Sequence, residues 1–250
     1  MCGSRVRLSG LLVVALAVLA GCSVRSISDS GFRGGGGASG GSPFYRGELS
    51  AYDIIGIDRN RPVSDQDIQK ALVAKRPISV KKGSAIMLVQ SGALFADPEM
   101  VTALERYYTV SSFTGIPIQD QRHNGMTDPA PVSYSQLFRL AAAKGGFETI
   151  VVYWGVLESA SEGLSSKAIS WVPIIGGVIP DQAQHMRIRL MVAIIDVRTG
   201  QWETFDPPPF EDEAISNQHS RAASDQIQVA TLKAKAYKEA AEAFVARYGR

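Results

Sequence analysis

Three stretches decide what this chain can fold into. Ala85-Ile86-Met87-Leu88-Val89-Gln90, Thr149-Ile150-Val151-Val152-Tyr153-Trp154-Gly155-Val156-Leu157 and Met186-Arg187-Ile188-Arg189-Leu190-Met191-Val192-Ala193-Ile194-Ile195-Asp196 are apolar at consecutive positions over most of their length. A strand with one wet face alternates apolar and polar residues, whereas a run apolar on both sides fits a strand covered on both faces. Only the start of the third stretch alternates cleanly. The chain is therefore expected to build an α/β (α+β) domain: a mixed central sheet flanked by helices, with a C-terminal hairpin and a long covering helix.

The helices announce themselves between the strands. Ser64 caps a helix to Lys75, with Asp67 three residues on, Ile68, Ala71 and Leu72 on one face, and Pro77 beyond. Asp97-Pro98 reads as an N-cap with proline in the first helical position, opening Glu99 to Tyr108, and Ser133 caps a helix ended by Gly145-Gly146. Tyr108 to Phe113 alternates as a second strand. Arg198-Thr199-Gly200 turns the third apolar strand back into Gln201 to Phe205 as a hairpin. A terminal helix runs from about Asp225 to Tyr248, with Val229, Leu232, Ala236, Ala240, Ala243 and Phe244 as its apolar stripe.

The amino terminus says where the protein sits. Arg5 and Arg7 precede the apolar run Leu11 to Leu19, which is too short for a stable membrane span and ends in small residues, as export signals do. Leu19-Ala20-Gly21-Cys22 then resembles the bacterial lipoprotein lipobox. The resemblance implies cleavage after Gly21, a diacylglyceryl group on the Cys22 sulfur and acylation of the new amino terminus, palmitate included. Several acyl chains hold a protein at a bilayer where one is marginal. Ser23 stands where an Asp would signal inner-membrane retention in Gram-negative lipoproteins. The implied location is the cell outer membrane, lipid-anchored and facing the periplasm.

This divides the chain into signal peptide 1–21, lipidated cysteine and Gly/Ser-rich tether 22–47, and a single periplasmic domain 48–250. The tether's core, Gly31 to Ser42, has too little apolar surface to order itself, and some 25 residues of such coil reach roughly 25 to 30 Å. Cys2 leaves with the signal, so the mature chain keeps one cysteine and forms no disulfide. The 26 Lys and Arg face 24 Asp and Glu, and losing Arg5 and Arg7 balances them. Such a chain is not built for nucleic acid.

The motifs of chemistry are missing from the sequence. His123, His185 and His219 show no zinc spacing, and Ser91-Gly92 and Gly155 form no nucleophile elbow. Glu211-Asp212-Glu213 follows Pro207-Pro208-Pro209 and reads as a solvated surface loop. The expectation is no catalytic residue, no metal ligand and no cofactor.

Ala168 to Pro180 is the segment hardest to explain blandly. It is nearly free of charge and carries Trp171, Ile174, Ile175, Val178 and Ile179 around Gly176-Gly177. Either it folds back as a core-covering hairpin or edge strand, or those five residues form an apolar patch for a protein partner or the lipid headgroups. The polar loop His123 to Pro131 is a second candidate surface.

The lipidated cysteine, the Gly-rich stretch, the order of elements from Leu49 to Arg250 and the hairpin Asp196-Val197-Arg198-Thr199-Gly200-Gln201-Trp202 together resemble a family of envelope proteins. It comprises the lipoprotein activators of penicillin-binding proteins, the curli-secretion lipoprotein and the amino-terminal domain of the Tol-system periplasmic protein. The resemblance implies a non-catalytic lipoprotein that binds or regulates an envelope assembly, in cell-wall synthesis or secretion, through an envelope protein partner or self-association. The alternatives are an oligomeric, membrane-inserting secretion subunit, or a hydrolase such as a metal-dependent aminopeptidase.

Overall fold

A computed structural model describes residues 25–30, 42, 44–59, 61–117, 133–162, 169–173, 185–213 and 221–250. Among the described residues seven strands form one sheet: β1 (Ala85–Gln90), β2 (Thr109–Phe113), β3 (Thr149–Glu162), β4 (Ile169–Pro173), β5 (His185–Asp196), β6 (Trp202–Phe205) and β7 (Phe210–Glu213). The main path runs β2-β1-β3-β5-β6, with β4 paired to β3 and β7 to β5. β1 is parallel to both β2 and β3, while β5 is antiparallel to β3 and β6. The mixed sheet expected from the sequence is what forms.

Both faces are covered, for the reason legible in the apolar runs. Ile86, Leu88, Val151, Tyr153, Val192 and Ile194 point to one side, under α3 (Pro98–Glu105) and α5 (Arg221–Tyr248). Met87, Val89, Ile150, Val152, Ala193 and Ile195 point to the other, under α1 (Ala51–Ile55) and α4 (Tyr134–Lys144). Each such fully buried side chain contributes about 1.5–3 kcal/mol relative to exposure. In α5 the expected stripe Val229, Leu232, Ala236, Ala240 and Phe244 is buried, with Ala243 partly so.

The β5–β6 turn forms as its sequence demands. The Asp196 carboxylate accepts hydrogen bonds from the Thr199 backbone N–H at 2.7 Å and hydroxyl at 2.6 Å, and Gly200 takes φ +74°. Arg139 of α4 locks this turn by donating to the carbonyls of Val197 at 2.9 Å and Arg198 at 3.1 Å.

Helix α2 (Asp65–Ala74) stands apart. A reciprocal box between Ser64 and Asp67 caps it, yet none of its residues is buried. Gln201 links it to the body: its Oε1 accepts from the Arg76 backbone N–H at 2.8 Å and its amide donates to the Ala74 carbonyl.

Several expectations need correcting. β3 continues five residues past Leu157, because β4 gives its far end a second partner from Glu158 to Glu162. Glu211-Asp212-Glu213 belongs to β7, paired with β5, and is not a loop. Asp97 sits at the N-cap position of α3, but its side chain makes no cap hydrogen bond. The folded body also begins well before Leu49. Arg25 to Ser30, assigned to the tether by composition, is packed into it: Ile27 is fully buried and Ser26 forms a bridge to Val156 of β3.

Candidate functional site

The segment Arg25–Ser30 lies where open α/β sheets usually keep their ligand crevice, beyond the carboxyl ends of the parallel strands. β1 ends in Gln90 and runs on into Ser91, both buried, beside Tyr153 of β3. The Ser28 hydroxyl donates to the Ser91 carbonyl at 2.5 Å and accepts from the Gln90 amide at 3.0 Å. The Ser91 hydroxyl accepts from the Leu49 N–H at 2.8 Å, so Ser91 joins two separate pieces of the amino-terminal chain to β1. A short 3-10 turn, Ile27–Asp29, drives Ile27 into the core between these serines.

A buried ionic clasp closes over this segment. Lys233 of α5 is 6 % exposed; its Nζ donates to the Asp97 carboxylate at 2.9 Å and to the Ser30 carbonyl at 2.9 Å. The Tyr237 hydroxyl, one turn on, donates to the same Asp97 oxygen at 2.6 Å. The Asp97 N–H donates to Gln90 Oε1 at 2.7 Å, which also accepts from the Tyr153 hydroxyl at 2.5 Å. Burial and the Asp97 charge push both tyrosine hydroxyls well above their ordinary pKa, so they stay protonated donors. These bonds tie α5 and the start of α3 to Ser30 and β1, and the arrangement is a clasp. Among the described residues no group of three or more His, Cys, Asp or Glu is placed to hold a metal ion.

Glu48 completes the polar shell. It accepts a hydrogen bond from the Ser26 hydroxyl, and burial raises its carboxyl pKa against the opposing pull of the Ser26 and Ser91 hydroxyls. Burial and the neighbouring Glu48 raise Tyr45 in turn.

Beside the clasp, β3 and β5 continue to their pairings with β4 and β7. Leu157, Ile188 and Met186 face the core, while Glu158, Arg187, Arg189 and Trp171 stack along the opposite face. Glu158 is buried, with Arg187 Nε at 2.5 Å and Arg189 Nη2 at 3.2 Å, and the Arg187 guanidinium lies 4.2 Å from the Trp171 ring centre. Ser26 occupies the edge of β3 at Val156, between the last β1 pair at Tyr153 and the first β4 pair at Glu158. The Leu157 N–H donates to the Arg25 carbonyl at 3.1 Å. Arg25 thus lies beside Leu157, one position before the first β4 pair.

Of the residues singled out in the sequence, Trp171 is described and half-buried beneath Arg187. Cys22 with Leu19, Ala20 and Gly21, the apolar residues Ile174, Ile175, Val178 and Ile179, and the loop His123 to Pro131 lie outside the described residues. His185 opens β5, and the other two histidines lie outside as well. Sequence reading missed the clasp. Its one signal was Lys233, a charge set at helical spacing among Val229, Leu232, Ala236 and Ala240.

Apolar surface is also open elsewhere among the described residues. A groove of about 380 Å³ runs between the end of β2 and α4, lined by Phe113, Ile116, Leu137, Phe138 and Leu140. On α2, Ile68, Leu72 and Val73 are 48 %, 63 % and 76 % exposed. Among the described residues no helix is long and apolar enough to cross a membrane.

No curated protein matches the chain. The YafT bacterial lipoprotein family model matches residues 50–247, from the start of α1 to the end of α5, and the chain belongs to that family.

Proposed function

We propose that this lipoprotein is a non-catalytic component of a bacterial envelope assembly, anchored through Cys22 at the periplasmic face of the outer membrane and binding a protein partner through α2. The observation that carries the reading is the helix itself. A capped amphipathic helix that buries nothing, with three large aliphatic side chains in the open, is a surface for another molecule rather than part of a core. Its position supports the same reading. Gln201 ties it to the β5–β6 turn, and from Asp196 to Arg187 β5 runs nine residues, about 30 Å. The helix is thus displayed at the opposite end of the sheet from Arg25, three residues after Cys22. Ser23 after the lipidated cysteine supports the outer membrane as the address.

Photo-crosslinking in cells tests this, with a photoreactive amino acid at Leu72 and, as control, at the exposed Lys238 of α5. One envelope protein, of cell-wall synthesis or secretion, is expected to dominate the adducts from position 72 and to be absent from those at 238. Identical adduct patterns at the two positions, or lipid adducts alone at 72, would overturn the reading. Adducts of the chain with itself would replace the partner by self-association.

A further inference from the structure

We infer that the end of the domain bearing Trp171 and Pro173 rests on the bilayer surface, and that Arg25–Ser30 fixes it there in one orientation. This goes beyond the partner reading and does not depend on it; it rests on Cys22 as the lipidated residue. The argument is one of chain length. Arg25 is bonded to Leu157, and three residue steps separate it from Cys22, a span of at most about 11 Å. Trp171 pairs with Ala160, three positions farther along the same strand, or about 10 Å. The acyl chains and the Trp171 end therefore share one small region.

The Gly-rich run gives no extra reach. It lies between Ser30 and Ser42, and the Ser42 N–H donates to the Asp29 carboxylate at 3.0 Å, so it joins two points of the body that touch. It falls after the first anchored segment and cannot act as slack between lipid and domain.

The chemistry at this end suits headgroups. Trp171 offers an amphipathic ring stacked on Arg187, Arg189 is 55 % exposed on its side chain, and Pro173 is exposed. Tryptophan favours the membrane interface, and an arginine keeps its head in the wet zone while its stem lies on apolar surface. Glu158 and Glu211 offset the two arginines, so this end has no strong pull of its own on lipid. The covalent anchor supplies the local concentration, and the weak headgroup contact then sets the angle.

The full-length lipidated protein, reconstituted in vesicles of phosphatidylethanolamine and phosphatidylglycerol with brominated acyl chains, provides the test. Mass spectrometry of the amino-terminal peptide comes first, and an unacylated Cys22 overturns the inference at once. Two single-tryptophan chains are then compared: Trp154→Phe with Trp202→Phe, which keeps Trp171, and Trp154→Phe with Trp171→Phe, which keeps Trp202. Trp202 pairs with Ile195 at the far end of β5. Emission from Trp171 is expected to fall about twofold, as for a ring within the outer 5–10 Å of the bilayer, and that from Trp202 to stay unchanged. Equal quenching of both, or none of Trp171, overturns the inference. Where circular dichroism shows that a phenylalanine variant has not folded, a photoreactive residue at 171 or 202 in the otherwise unaltered chain gives the same decision by its lipid adducts. The vesicles hold no other protein, so failure here leaves the partner reading untouched.

Discussion

Ile27→Ala separates a packed strap from a tether by a wide margin. Ile27 is fully buried among core residues that include Leu157 and Tyr237. The substitution removes about three carbons, at about 0.8 kcal/mol each for transfer alone. The hole left behind raises the loss to about 2.5–4 kcal/mol. Were residues 22–47 a free tether, the same change would touch nothing and stay within about 0.5 kcal/mol. Urea unfolding of the soluble chain beginning at Ser23 measures the difference. With a slope of about 2 kcal/mol per molar urea, the midpoint should fall by about 1–2 M at unchanged slope. Ser39→Ala, inside the Gly-rich run, should leave it in place. A shift under about 0.3 M for Ile27→Ala refutes the packing argument.

Asp97→Ala strands a buried ammonium and should cost about 3–5 kcal/mol by the same assay, whereas Asp97→Asn combined with Lys233→Met, which removes the charges together, should cost clearly less. Glu48→Gln has a sign set by burial. A carboxyl whose folded pKa is raised binds its proton more tightly in the folded state, so its contribution to stability is best below the ordinary glutamate range and worsens as pH rises through the folded value. The variant should therefore be more stable than the parent at neutral pH, the gap closing as pH falls toward about 4; an unchanged gap between those limits contradicts this. Gly115→Ala would place a Cβ 2.0 Å from the Gln90 carbonyl oxygen, on backbone that cannot swing away, and should lower stability by about 1–3 kcal/mol or more in thermal unfolding. Ile68→Ser on α2 should move stability by under about 0.5 kcal/mol yet abolish the dominant envelope crosslink from position 72, because the side chain is open and packs on nothing that folding needs.

The fold was legible where a physical requirement was written into neighbouring residues. The double-faced apolar runs specified a sheet covered on both sides, and both the Ser64 box and the Asp196–Gly200 turn state their geometry in a few positions. The clasp was not legible, because its members come from positions 28, 30, 90, 97, 153, 233 and 237, and each alone has an ordinary explanation. Asp97 before a proline is a good cap by every local rule. Only the docking of α5 gives its carboxylate stronger partners in Lys233 and Tyr237. Arg25–Ser30 was misassigned for a related reason. Composition averages over a window, and one isoleucine among serines and arginines does not shift the average, although that buried isoleucine, the Ser28 bond to Ser91 and the Lys233 bond to Ser30 together dock six residues.

Hydrogen exchange in the lipidated, membrane-bound protein tests the strap most directly. The Leu157 N–H bonded to Arg25, and the Ser28 N–H that donates to the Ser26 hydroxyl at 2.9 Å, report on it from both sides. Protection of peptides covering 25–30 close to that of β3, lost together in Ile27→Ala, is the predicted result. Exchange at 25–30 as fast as that of an open chain, with β3 still protected, would contradict it.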